Sequence, residues 1–201
     1  MRILASICLG FACIHGAAIF AHDTWVETST SVIRPGDFVH VDLKLGNHGN
    51  DHRDFKLASR VTLDHCTLHV LAPSGDLQDL KPRVVDTGFG PKEGYWSARY
   101  VTSEPGLHVV AHTLDTLHGT IRAVKSGKTY FIAATDWSAV AQSPGRCDEP
   151  LGHPIEIVPL TNPVTSTGPG MPLRVRVLFD GQPLVGARVT FIPRSEAGGG
   201  T

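Results

Sequence analysis

The chain has 201 residues, with 18 Lys and Arg against 19 Asp and Glu, a net charge of -1, and 41% hydrophobic residues. That is ordinary globular composition, neither disordered nor collagen-like, and it lacks the basic excess that phosphate neutralisation requires, so no nucleic-acid partner is expected. Gly (21) and Pro (14) are abundant and charged residues make up only 18%, which favours many short strands joined by turns over a helical bundle. The unusual figure is 11 histidines, because imidazole is the commonest metal ligand and the usual acid/base near neutral pH.

Residues 1–21 read as a secretory signal peptide. Met1 and Arg2 give a small positive start, and Ile3 to Phe20 is apolar except for Ser6 and His15. An uncleaved anchor is the alternative, since a spanning helix takes about 20 apolar residues. Cleavage after Ala21 starts the mature chain at His22; cleavage after Ala18 starts it at Ile19. The first is preferred, because His22-Asp23-Thr24-Trp25 opens the folded-looking sequence. The expected location is periplasmic or extracellular, with no transmembrane segment after cleavage. Cys8 and Cys13 leave with the signal, whereas Cys66 and Cys147 remain. They are either two separate thiols or one disulfide, which would close a loop of about 80 residues and contribute roughly 4 kcal/mol.

From Phe38 to Leu45 apolar and polar residues alternate, with Val39, Val41, Leu43 and Leu45 on one face, which predicts a half-buried strand. Arg34-Pro35-Gly36-Asp37 is the turn before it. Further strands are predicted at Leu57–Leu63, Thr67–Ala72, Tyr95–Val101, Leu107–Thr113 and Lys128–Ala133. Asp136 to Gly152 reads as a long loop, and Leu151–Leu160 as the last strand of the first domain or a crossing segment. The predicted fold is all-β: an immunoglobulin-like antiparallel β-sandwich over 22–160. A linker at 161–172 follows, then the start of a second β-domain at 173–201. There Leu173, Val175, Val177 and Phe179 alternate with polar residues, and so do Ala187, Val189 and Phe191. Two strands alone are marginal, so either this pair packs on the first domain or the second domain is cut short; the second is preferred.

The histidines divide by position. His65 and His69 are four apart, as are His108 and His112. In a strand that separation spans roughly 13 Å, too far for one zinc-type ion with bonds of about 2 Å. Each pair therefore offers at most one ligand. His112, placed at a predicted strand end, is the better candidate; His108 is expected on the surface or a sheet face, and His40 toward solvent. Gly46-Asn47-His48-Gly49-Asn50-Asp51-His52 follows a predicted strand and reads as a loop that can bend so that His48 and His52 converge. A mature His22 would add its α-amine to its imidazole, a nitrogen chelate suited to copper or nickel; a flexible, unliganded terminus is the alternative. Asp23, Asp51, Asp54 and Asp115 are candidate partners for orienting imidazoles. His118 and His153 carry no specific signal. The chain has no P-loop, Gly-x-Ser-x-Gly, His-Glu-x-x-His or mature Cys-x-x-Cys motif, so no catalytic residue is named.

The run His22-Asp23-Thr24-Trp25-Val26-Glu27, the turn Arg34–Asp37 and the segment Gly46–Gly49 together resemble the domain of unknown function 4198 family, also called NikM-like. Pro105–His112 and Gly181–Val189 fit the same pattern. The resemblance implies a signal peptide, tandem immunoglobulin-like domains and a periplasmic location. It also implies, from relatives associated with nickel or cobalt uptake, membrane transporter components as partners. His22 and His48 match the family's His-x-x-Trp start and Gly-His region, although Asn47 intervenes between Gly46 and His48. The expected function is an exported module that binds nickel, cobalt or copper and acts in metal binding or delivery at the cell envelope, with His22, His48 and His112 as ligands and His52 as a reserve fourth. The rivals are an adhesion-type module that binds carbohydrate or protein through an exposed Trp96 or Trp137, and a copper-dependent oxidative enzyme built on an N-terminal His22.

Overall fold

A computed structural model describes residues 23–46, 63–88, 90, 94–143 and 145–190. In chain order the strands are β1 (Asp23–Thr28), β2 (Val32–Ile33), β3 (Phe38–Gly46), β4 (Cys66–Leu71), β5 (Leu77–Asp79), β6 (Val85–Asp86), β7 (Trp96–Val101), β8 (Gly106–His118) and β9 (Ile121–Ala133). A five-residue helix, α1 (Trp137–Ala141), precedes β10 (Ile155–Pro159), β11 (Val175–Phe179) and β12 (Gln182–Pro183). Three sheets result, ordered β1-β3-β7-β6, β2-β9-β8-β4-β5 and β10-β11-β12. β2 runs parallel to β9; the other pairings among the described residues are antiparallel. The chain is an all-β protein, and its first two sheets form a sandwich.

The alternation in β3 works as the sequence predicts: Val39, Val41 and Leu43 are fully buried, while Phe38 and His40 face solvent. They meet Leu68, Val70, Val110, Leu114 and Phe131 of the second sheet, with Val26, Trp96, Ala98 and Tyr100 completing the core. A smaller cluster on the outer face of the second sheet packs Leu107 and Ile132 against Ala134 and Val140. β8 is therefore covered on both faces, which explains its near-continuous apolar run from Leu107 to Ala111.

Several elements differ from the expectations. The β8–β9 hairpin is longer at its far end, reaching His118 and Ile121 across a two-residue Gly119-Thr120 turn. Gly119 has φ +63° there, as such tight turns require. The polar Thr113, Asp115 and Thr116 hide this extension from an apolar pattern. Leu63–His65 is a short 3-10 turn rather than strand, and residues 57–62 lie outside the described residues. α1 interrupts the loop expected at 136–152. Its N-terminus is capped by Asp136, which accepts a hydrogen bond from the Ala139 amide at 3.0 Å. The strand in 151–160 pairs with β11, so it joins the sheet beyond the 161–172 segment. Ala187–Thr190 is not a strand; β12 forms instead after the Asp180-Gly181 turn, where both residues have positive φ. Cys66 and Cys147 are separate thiols: Cys66 lies in the main core, and Cys147 packs on the outer cluster. Among the described residues no helix is long and apolar enough to cross a membrane.

Candidate functional site

One end of the sandwich gathers the start of β1, the end of β3 and the middle of the β8–β9 hairpin. β1 alternates so that Thr24 and Val26 point inward while Asp23 is exposed. Its register pairs Asp23 with Gly46 and Thr24 with Leu45. On its outer face Glu27 ties the strand down, accepting bonds from Trp25 Nε1 and Lys44 Nζ, both at 2.9 Å. Behind β1 lies Gly127 of β9. A Cβ there would sit 3.5 Å from Trp25 Cα and 3.7 Å from the Val26 amide nitrogen, so the missing side chain lets the β1 backbone pass close to β9.

His112 is Gly127's cross-strand partner and is completely buried. Its Nδ1 lies 2.9 Å from the Thr67 carbonyl oxygen and its Nε2 3.0 Å from Thr24 Oγ1. A carbonyl only accepts, so Nδ1 carries the proton and donates. Nε2 then presents its lone pair, and the Thr24 hydroxyl donates to it. Burial pushes the imidazole pKa down to about 4, against the raising effect of the Thr67 carbonyl, and His153 lowers it further. The ring is neutral near pH 7 and fixed in one tautomer.

His112 thus sits in mid-strand rather than at a strand end, with both ring nitrogens engaged by protein groups. His22, His48 and His52 lie outside the described residues, as do Asp51 and Asp54. Asp115 is exposed and is held by Arg122, whose Nε donates to it at 2.8 Å; the groups that orient His112 are a carbonyl and a hydroxyl. His108 is a correction. It is fully buried rather than on the surface, stacked on Phe131 with centroids 4.7 Å apart. It repeats the His112 arrangement, with Nδ1 at 3.2 Å from the Gly106 carbonyl and Nε2 at 3.1 Å from Thr102 Oγ1. Burial lowers its pKa as well, partly offset by the Gly106 carbonyl and Glu104. His65 is exposed, and His69 approaches Asp79 at 3.9 Å. Among the described residues no group of three or more His, Cys, Asp or Glu side chains converges as a metal centre. The described residues alone therefore do not supply a complete ligand set.

Sequence reasoning missed Thr24, Thr67 and Gly127. The alternation of β1 carried a signal for Thr24, since Thr24 and Val26 share a face; Thr67 and Gly127 became legible only from the sheet register. Of the two tryptophans proposed as binding residues, Trp96 is buried and Trp137 is 79% exposed.

No curated protein matches the chain. Among solved structures, a DUF4785 family protein from Legionella pneumophila subsp. pneumophila is similar over 54% of this chain and 27% of that one, with 16% identity and a TM-score of 0.37. The chain thus spans about a quarter of that protein's length. The family described as a domain of unknown function, DUF4198, matches residues 19–201, and this chain belongs to it.

Proposed function

We propose that the chain is an exported module that binds nickel, cobalt or copper and serves in metal binding or delivery at the cell envelope, where its partners are membrane transporter components. The observation that carries this reading is the register of β1 and β3. Asp23 lies opposite Gly46; His22 immediately precedes Asp23, and His48 follows Gly46 by two positions. At about 3.5 Å per residue, both imidazoles are tethered within a short reach of one backbone pair. The chemistry of His112 supports the reading from beneath. An Nδ1–H held on a carbonyl is how ligating histidines are commonly oriented, and it leaves Nε2 as the coordinating atom. For His112 to ligate, Nε2 must exchange the Thr24 hydroxyl for the metal. His52 is the fourth candidate donor. A nitrogen-rich set of this kind suits nickel or copper over calcium or magnesium.

Calorimetric titration of nickel, cobalt and copper ions into the untagged exported chain tests this. His22→Ala and His48→Ala should each weaken binding by about tenfold or more. Unchanged affinity in a variant lacking His22, His48 and His112 together would exclude the reading. A second reading, an adhesion-type module without metal, draws on the exposed Trp137 and on exposed apolar residues of the third sheet, where Ile157 and Phe179 are 50% and 53% exposed. Glycan or protein binding that Trp137→Ala abolishes, in a chain that takes up no metal, would favour it.

A further inference from the structure

The most completely satisfied charged group among the described residues lies away from the histidines, between the sandwich and the third sheet. Glu156 of β10 is 2% exposed. Its carboxylate accepts the Leu151 amide at 2.7 Å, the Gly152 amide at 3.1 Å and the His153 amide at 3.2 Å. Lys128 Nζ, on the outer face of β9, donates to the same carboxylate and is itself nearly buried. Three consecutive amides converging on one anion, with Gly152 at φ +79°, form the kind of backbone concavity that binds phosphate or carboxylate in other proteins. Here the anion belongs to the chain itself.

We propose that Glu156 is a latch: its carboxylate is the built-in ligand of an anion nest made by the 151–153 amides and Lys128, and this bond fixes the third sheet on the outer face of the sandwich. Three observations bear on it. The inward face of β10 carries Glu156 among few apolar groups: Val158, two residues on, and Leu178, the cross-strand partner of Glu156 on β11, are buried. The face carrying Ile155, Ile157 and Phe179 is left substantially exposed, so apolar burial on that side does not hold the sheet. Finally, His153 rides on the same turn with its Nδ1 buried and without a hydrogen-bond partner among the described residues. An unsatisfied buried nitrogen opposes that conformation, so the turn is held against a local cost by the four donors on Glu156. The Ser126 hydroxyl, which donates to the Ile155 carbonyl, and the Asp180 amide, which reaches the Pro154 carbonyl at 2.8 Å, align the sheet around the latch. A groove of about 580 Å³ runs between β9 and the third sheet, with Lys128 and Glu156 in its wall; the latch sets its width.

Hydrogen exchange on the full chain tests the proposal, with chemical rescue as the second arm. In Glu156→Ala the amides of 151–153 and of β10 and β11 should exchange about tenfold faster or more, while β3 and β7 keep their protection. Added formate should restore the slow exchange in that variant, and chloride at the same ionic strength should not. Glu156→Gln keeps the shape and loses the charge, and Lys128→Met removes the ammonium; each should loosen the same amides. Unchanged exchange in Glu156→Gln and Lys128→Met would overturn the latch, and so would equal loss of protection in β3 and β7. Equal rescue by formate and chloride would overturn the nest as its basis.

Discussion

Two imidazoles on one face of β8 are held in the same way, each with Nδ1–H on a carbonyl and Nε2 accepting from a threonine hydroxyl. His112 joins β8 to its neighbour β4 and, through Thr24, to β1, and His108 joins it through Thr102 to the segment after β7, so the two threonine contacts bridge the two sheets of the sandwich. Both rings are buried neutral. In the unfolded chain a histidine takes up a proton near pH 6.5; in the folded chain His112 does so only at about pH 4. Between those values the unfolded state binds more protons. Stability is therefore full above about pH 6.5 and is lost as pH falls toward 4, on the order of 3 kcal/mol from His112 alone. His108 acts in the same direction. The urea midpoint should fall between about pH 7 and pH 4.5, and a flat or rising midpoint would contradict the assignment of neutral core imidazoles. Thr24→Val keeps the shape and removes the donor, leaving Nε2 without its partner; it should cost about 1–3 kcal/mol, measured by the same denaturation. The sequence could not show that both imidazoles lie inside the sandwich, because imidazole is compatible with buried and exposed settings alike and only the packing of β1 and Phe131 places them there.

At the scale of elements, Gly127 is the residue that lets β1 close over β9. Gly127→Ala places a Cβ at ordinary contact distance from Trp25 and should change stability little. Gly127→Val adds two γ carbons toward the same backbone and should destabilise by about 1–3 kcal/mol through overpacking, with amide chemical shifts moving first in residues 23–26. Equal midpoints for the Val variant and the parent would show that β1 does not lie against Gly127. The strands most legible from sequence were those with one wet face: β3 alternates without a break, and β4 and β7 lie within a residue of their predicted starts. β8 and β9 were only half legible. Their inner parts are apolar, but beyond Thr113 and before Lys128 apolar residues such as Leu114, Leu117, Ile121 and Val124 are interspersed with polar ones without clean alternation, so periodicity gives a weak signal. The pairing of β10 with β11 was hidden because a Pro- and Gly-rich stretch separates the partners, and sequence proximity says nothing about register across it.

For the molecule as a whole, an all-β sandwich was readable from turns and alternation, whereas the candidate site was readable only as a set of residue types. Asp23 and Gly46, which flank His22 and His48 in sequence, pair across β1 and β3, a long-range fact that no local pattern encodes. The cysteines make the same point: an even count beyond residue 21 permits a bridge, yet the fold places Cys66 in the main core and Cys147 on the other side of the second sheet. Burial raises the Cys66 thiol to about 11, with Lys81 lowering it slightly, so little thiolate is present near neutral pH. In the native chain lacking residues 1–21, Cys147 should react with a thiol reagent well before Cys66, and after unfolding without reductant both should titrate. A single slow thiol, or none after unfolding, would contradict the two-thiol arrangement. The central claim, a metal held where β1 begins, is tested most directly by intact mass together with elemental analysis of the exported, untagged protein. The account predicts a chain that starts at His22 and carries nickel, cobalt or copper at close to one ion per molecule. A chain that starts elsewhere and stays metal-free after incubation with these ions would contradict it.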